Sequence, residues 1–484
     1  MPVSRQKELG AYYTPEPVVQ SLVHWAVRKA SDLLLDPACG DGRFLATHAN
    51  SVGVEQDADA SATVHQRAPK AAIHYGDFFS WAKDTHERFD CAAGNPPFIR
   101  YQRFNGTVRK TALEVCASHG ASFSGLSSSW APFLVATASL LKPGGRLAFV
   151  VPAEIGHAPY AQPVLSYMAR HFETVQVIAI ERKVFPELSE DCWLLYCAGF
   201  GGQSNHLLLS LMTQFGYMRS PPKTDVEISL EEWRRWNCRL RPFLLSPHAR
   251  HLYERLSRCN SAARLGNLAR VGIGYVTGAN DFFHLRPSEA EARGIPEKYL
   301  QPTVRNAKAL TGQAVTKSTV QKWCRRDDAV LLLRLRAGAD LPRAVRDYLE
   351  SPAGQTARTG YKCRNRNPWY VVPDVRIPDA FLTYMSGNEP ALVANRARCA
   401  ATNSMHVIDL KGNVSVTELQ KMWRHPLTQL SCEIEGHPLG GGILKIEPRE
   451  ASRVVLLDNG KMSREKMALI REGIRTLRRW RHYG

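Results

Sequence analysis

Four residues, Asn95-Pro96-Pro97-Phe98, stand between an apolar run, Phe89–Gly94, and a basic, aromatic run that ends at Phe104. Asparagine offers a side-chain carbonyl as acceptor. Proline fixes φ and presents a carbonyl without a competing N–H. Asn95 Oδ1 and the Pro96 carbonyl together suit the two hydrogens of one planar exocyclic amine. Held that way, the nitrogen is drawn toward tetrahedral geometry and its lone pair turns toward an electrophile. Phe98 adds a ring face on which a base can stack, worth about 1–3 kcal/mol. Asn-Pro is also a common turn, so the tetrapeptide takes its meaning from what precedes it.

Upstream lies Asp36-Pro37-Ala38-Cys39-Gly40-Asp41-Gly42. Gly40 and Gly42 let backbone approach a ligand, and a helix N-terminus follows with free N–H groups. The third glycine of the dinucleotide fingerprint is absent. Asp36 at the turn repels pyrophosphate and suits a cation. Glu55 follows at the next strand end, where an acid can take both ribose hydroxyls. Gly76-Asp77-Phe78 closes the third strand: Asp77 can accept from an adenine amine and Phe78 can flank the ring. Three carboxylates at three successive strand ends point to an adenosyl ligand with a sulfonium and no phosphate. That ligand is S-adenosylmethionine, whose product is S-adenosylhomocysteine.

Short apolar runs must carry these residues. Leu33–Leu35, 51–57, 71–79 and 89–94 read as strands, with helical spacing over 17–30 and 43–49. A fifth strand follows the Pro-Gly-Gly turn at 143–145, and 173–180 and 192–200 supply two more. Apolar strands alternating with helices predict an α/β fold, a doubly wound and mostly parallel sheet. At 200–206 the texture changes to a Gly-rich stretch, which predicts a boundary between a first domain, 1–202, and a mixed α/β second domain, 203–484.

Charge divides in the same place. Residues 1–200 hold 18 Lys and Arg against 19 Asp and Glu, whereas 201–484 hold 45 against 26. A near-neutral module followed by a strongly basic one suits a polyanion as partner. Composition is 44% hydrophobic and 22% charged, which is globular rather than disordered. No apolar run reaches the ~18 residues of a membrane span, and the N-terminus has no apolar signal core, so a cytoplasmic protein is expected. The 11 cysteines are scattered without metal spacing, so neither zinc nor any other metal is expected. The basic C-terminal stretch from 463 reads as an amphipathic helix with a solvated face.

With DPACGDGRFL, Glu55, Asp77-Phe78 and Asn95–Phe98 in this order, the sequence resembles the DNA adenine-N6 methyltransferases of restriction–modification systems, more narrowly the TaqI-type gamma class. The resemblance covers nearly the whole chain. It implies a class I methyltransferase domain ahead of a DNA target recognition domain, and transfer of methyl from S-adenosylmethionine to the N6 amine of an adenine flipped out of duplex DNA. It places Tyr13, Thr14 and Pro15 near the methionine end of the cofactor, Phe133 of WAPFL beside its adenine, and Phe185 of RKVFPE as a second ring, with Phe98, around the target base. Asp36, Ala38, Gly40, Glu55, Asp77, Phe78 and Asn95 complete the expected cofactor set, and Asn95, Pro96, Pro97 and Phe98 the catalytic one. In the basic half, Tyr275, Thr277 and Asn280 of a Gly-rich turn, and Arg364 and Arg366 beside Trp369 and Tyr370, are candidates for DNA contact. The same tetrapeptide serves RNA purine amines and protein glutamine amides, and the same geometry, usually with Ser in place of the Asn, serves cytosine N4, so these acceptors stay open. A monomer suffices for this class, and any cleavage would fall to a separate cognate endonuclease, since no nuclease motif is seen here.

Overall fold

The computed structural model describes residues 14–100, 102–124, 127–186, 188, 190–412, 414–458 and 462–483. The chain divides into two compact units, 1–244 and 245–484. In the first, the described strands are β1 (Leu34–Asp36), β2 (Ser51–Glu55), β3 (Ala72–Tyr75), β4 (Phe89–Gly94), β5 (Leu141–Pro152), β6 (Phe172–Ile180), β7 (Cys192–Phe200), β8 (His206–Met212) and β9 (Val226–Ser229). They form one sheet in the order β3-β2-β1-β4-β5-β7-β6-β8-β9. The first five are parallel, β7 is antiparallel to both β5 and β6, β8 is parallel to β6, and β9 is antiparallel to β8. This is the doubly wound, mostly parallel sheet expected from the apolar runs.

Helices cover the sheet because their apolar residues recur every three or four positions. In the helix Glu16–Ala26, Val18, Leu22 and Ala26 share one stripe with Val19 and Val23, and all five are buried. They join Leu34, Cys91, Ala93, Ala148 and Val150 of β1, β4 and β5 in one core cluster, each Val or Leu contributing about 1.5–3 kcal/mol. The strand order turns back between β1 and β4, so a crevice opens at their carboxyl ends.

The expected domain boundary after 202 is corrected. β8 runs beside β6 with Gln176 opposite Leu208, so residues 206–229 complete the first sheet and the division falls at 244/245. The Gly-rich stretch is a tight loop inside that sheet, with Gly201 at φ +94°.

The second unit is mixed α/β. A five-stranded sheet orders Ala269–Ile273, Met405–Leu410, Ala380–Thr383, Leu392–Asn395 and Ala314–Val315. The C-terminal helix Arg464–Arg479 is not a free solvated element: it buries Ile470, Gly473, Ile474 and Leu477. A Cβ on Gly473 would sit 3.2 Å from both Leu245 and Leu430 side chains, so glycine allows this helix its close approach.

Candidate active site

After β1 the chain turns through Pro37–Gly42 with Gly40 at φ +52° and Gly42 at φ +80°, a left-handed backbone that favours glycine. The turn is tied to β2. Cys39 N donates to Val54 O at 3.0 Å, and Gly40 N donates to Glu55 Oε2 at 2.8 Å. Asp57 N donates to the other Glu55 oxygen at 2.7 Å. Asp36 Oδ1 accepts from Ala38 N at 3.2 Å, while Oδ2 is buried without a partner. Burial above all, then the neighbouring charges of Glu55 and Asp41, pushes the Asp36 carboxyl up to about 8. Burial likewise raises Glu55. Two acids are therefore held where a positive ligand would relieve both. Gly94, at the end of β4, permits this: a Cβ there would lie 2.7 Å from Asp36 Oδ1.

A cavity of about 550 Å³ opens at this edge. Thr14, Asp36, Ala38, Gly40, Glu55, Asp77, Phe78, Asn95, Pro97 and Phe133, all expected from the sequence, line it. Phe78 and Phe133 stack at 5.1 Å with 12° between their planes, forming an aromatic wall. Asp77 has a structural duty as well: it caps the helix Phe78–Asp84, its Oδ2 accepting from Ser80 N and Oγ at 2.8 Å.

Asn95 leaves β4 with its amide Nδ2 donating to Thr14 Oγ1 at 3.2 Å. Its Oδ1 is buried with no partner, an acceptor that costs stability until a donor arrives. The loop beyond is clamped by Ser129. The Ser129 hydroxyl donates to Pro97 O and accepts from Ile99 N at 2.9 Å, and Ser129 N donates to Ile99 O at 3.0 Å. Ser129 is fully buried and lines the cavity. Sequence reading passed over it because a serine run before Trp130 carries no local signal of a contact thirty residues back.

Other expectations fall elsewhere. Tyr13 lies outside the described residues. Pro15 is not among the lining residues; its carbonyl takes Val18 N and Val19 N at 2.9 and 3.2 Å, opening the first helix. Pro96 and Phe98 are also absent from the lining. Phe185 is 1% exposed in the core cluster against which Phe98 packs, so a base seated between the two rings requires that cluster to part.

Two DNA-contact candidates in the second unit are corrected by burial. Tyr275 and Thr277 are 2% and 1% exposed. The Tyr275 hydroxyl is held by His284 Nε2 at 2.8 Å and Thr303 Oγ1 at 2.6 Å. Thr277 donates to Asn280 Oδ1 at 2.6 Å, leaving Asn280 at the surface but engaged. Arg366 is a staple, donating to Thr277 O and Val276 O at 2.6 and 2.7 Å. Trp369 and Tyr370 pack against the interior. Arg364 is exposed.

Residues 238–482, half of the chain, match the family model described as Type II methyltransferase M.Eco57I, C-terminal domain. The chain belongs to this family. This methyltransferase also matches the Eco57I restriction-modification methylase model over 49–185 and the N-6 DNA Methylase model over 3–68. It is similar to the Type II methyltransferase M.AccI of Acinetobacter calcoaceticus, 20% identical over 96% of this chain and 88% of the relative. M.XamI of Xanthomonas campestris pv. amaranthicola is 23% identical over 93% and 85%. Among solved structures, the Type IIL restriction-modification enzyme MmeI in complex with DNA shares the fold at TM-score 0.54 and 13% identity, over 94% of this chain and 69% of that one. The methyltransferase is a site-specific DNA-modifying enzyme of the restriction–modification type. Among the described residues no helix is long and apolar enough to cross a membrane, and no group of three or more His, Cys, Asp or Glu could hold a metal ion.

Proposed function

We propose that this methyltransferase, a gamma-class enzyme, moves a methyl group from S-adenosylmethionine to the N6 amine of an adenine everted from a specific duplex DNA site. Its setting is a restriction–modification or related phage-defence system, with any cleavage left to a separate endonuclease. The carrying observation is the buried, unpartnered Oδ1 of Asn95 at the same crevice as the unpartnered Oδ2 of Asp36.

The residues present fit the cofactor. Asp36 offers its orphan oxygen to a cationic group, Glu55 a carboxylate to ribose hydroxyls, and Phe78 with Phe133 a flat wall to an adenine. When bound, S-adenosylmethionine supplies a methyl carbon whose bond to sulfur breaks as a bond to nitrogen forms, the sulfur keeping the electron pair. Asn95 Oδ1 and the Pro96 carbonyl accept the two amine hydrogens and turn the nitrogen lone pair out of the ring plane. No protein base is required before attack: the nitrogen becomes acidic only as the new bond forms, and its extra proton passes to water. Eversion of the base costs a few kcal/mol, and stacking on Phe98, joined by Phe185 once their cluster parts, offsets it. The first unit is the catalytic domain and the second the recognition domain, its 39 basic against 22 acidic residues over 245–484 meeting phosphates.

Base-resolution mapping of modified bases in DNA from cells expressing the protein tests this. N6-methyladenine at one short sequence is expected. N4-methylcytosine, or DNA left unmodified while RNA or protein takes the label, would overturn the acceptor assignment.

A further inference from the structure

The second unit carries an aromatic side chain that its core does not use. Tyr361 is 68% exposed, whereas Trp369 and Tyr370 of the same segment pack inward. Lys362 Nζ lies 5.9 Å and Arg364 Cζ 5.5 Å from the centre of the Tyr361 ring. Both cations are exposed, and neither has an acidic partner among the described residues. The three side chains form one cationic, aromatic surface element.

Its support is rigid. The Arg366 guanidinium donates to the carbonyls of Val276 and Thr277 at 2.7 and 2.6 Å. Cys363 Sγ reaches Thr277 O at 3.6 Å. Gly278, at φ +83°, passes so close that a Cβ would lie 2.5 Å from Lys362 Cβ. The segment is thus pinned to the 276–278 turn, and that turn is held by the buried Thr277. Scaffold residues face inward and are satisfied; Tyr361, Lys362 and Arg364 face outward and are not.

Two unpaired cations beside a presented ring match a polyanion that also offers flat rings. We propose that Tyr361, Lys362 and Arg364 are a DNA-contact element of this enzyme: Lys362 and Arg364 neutralise one backbone phosphate each, and Tyr361 stacks on a base. The proposal rests on the reading of duplex DNA as substrate. The strong basic excess of residues 201–484 favours nucleic acid over an acidic protein segment as occupant.

The test is equilibrium binding of the full-length protein to a duplex oligonucleotide carrying its mapped methylation site, across salt concentrations. Each phosphate neutralised contributes about 0.9 to the slope of log K against log salt. The double variant Lys362→Ala/Arg364→Ala should therefore bind with a slope lower by about 2. Tyr361→Ala should weaken binding about 5- to 150-fold with the slope unchanged, and Tyr361→Phe should restore it. All three side chains are exposed, so the variants keep the fold, and their thermal unfolding should match the parent. A double variant with the parental slope, or Tyr361→Ala within about twofold of parental affinity, overturns the proposal while leaving the methylation reading standing. An acidic protein as occupant would give that same result. A parent protein that neither binds nor methylates duplex DNA overturns both.

Discussion

The Asn95 amide donates to the Thr14 hydroxyl at 3.2 Å across 81 residues of sequence, and the other end of that amide, Oδ1, stays buried and unpartnered. The bond spends the donor end of the amide on the protein and leaves the acceptor end open to an incoming donor. Thr14 is itself 3% exposed, so the anchor is not shared with water.

Thr14→Val keeps the shape and removes the acceptor. A buried amide donor then loses its partner, at about 1–3 kcal/mol, and Asn95 is free to rotate. The single-turnover rate of labelled methyl transfer, measured at saturating S-adenosylmethionine, should fall about 10-fold or more. Asn95→Ala should cost about 10²- to 10³-fold or more in the same assay, the scale of removing a group that acts on the transition state. Parental turnover in the Asn95 variant would remove the proposed role outright.

Ser129 bears on the same loop from the other side. Its hydroxyl satisfies Pro97 O and Ile99 N together, so Ser129→Ala leaves one acceptor and one donor without it. Small displacements of reacting groups cost about 10²-fold. A fall in kcat of about 10- to 100-fold is expected, with KM for the cofactor near parental. An equal rise in that KM would show that the residue shapes the cofactor cavity instead of aiming the Asn-Pro-Pro-Phe loop.

Asp36 makes the first unit's stability depend on pH in a stated direction. Its folded value is about 8, against an ordinary carboxyl near 3.9. Between those values the folded protein holds a proton that the unfolded chain releases. The contribution is present in full at low pH and is lost as pH rises toward about 8. Urea midpoints of the parent minus those of Asp36→Asn should therefore decline from about pH 4 to about pH 8 and then level. Saturating S-adenosylmethionine should flatten the decline, because a cation beside the carboxylate stabilises its charged form. A difference independent of pH would mean that Asp36 stays ionised in the free protein.

The sequence made the crevice at the sheet's carboxyl edge legible because its signals are local. Strands buried on both faces read as unbroken apolar runs, and an acid, a glycine turn or an Asn-Pro-Pro at the end of such a run must emerge at the sheet edge. Phe133 was placed by resemblance alone, and its stack on Phe78 follows from the fold. What sequence reading missed is long-range. The Ser129 clamp joins residues far apart in the chain. Tyr275 and Thr277 sit in glycine-rich text that suggests an exposed turn, yet His284 and Thr303 wait in the interior for the Tyr275 hydroxyl. The same holds for β8, whose pairing with β6 carries the first sheet past the stretch that reads as a linker.

Positive charge in the second unit is not all outward-facing, and the C-terminus shows where it goes. Arg481 is fully buried. Its guanidinium donates to both carboxylate oxygens of Glu433 at 3.0 and 2.8 Å and to the carbonyls of Gly387 and Gly442. Arg478 reaches Glu433 and Glu389 at 3.3 and 3.2 Å. Removing Arg481 leaves the buried Glu433 carboxylate with Arg478 at 3.3 Å, at up to about 3–5 kcal/mol. Arg481→Ala should lower the urea midpoint accordingly. The double change Arg481→Met/Glu433→Leu should recover most of that loss, since no charge is left alone. Exposed Arg475→Ala, on the helix just before, should stay within about 0.5 kcal/mol of the parent. If Arg481 instead met DNA, its loss would shallow the salt dependence of duplex binding and leave the urea midpoint where it was; that pattern would refute the structural role.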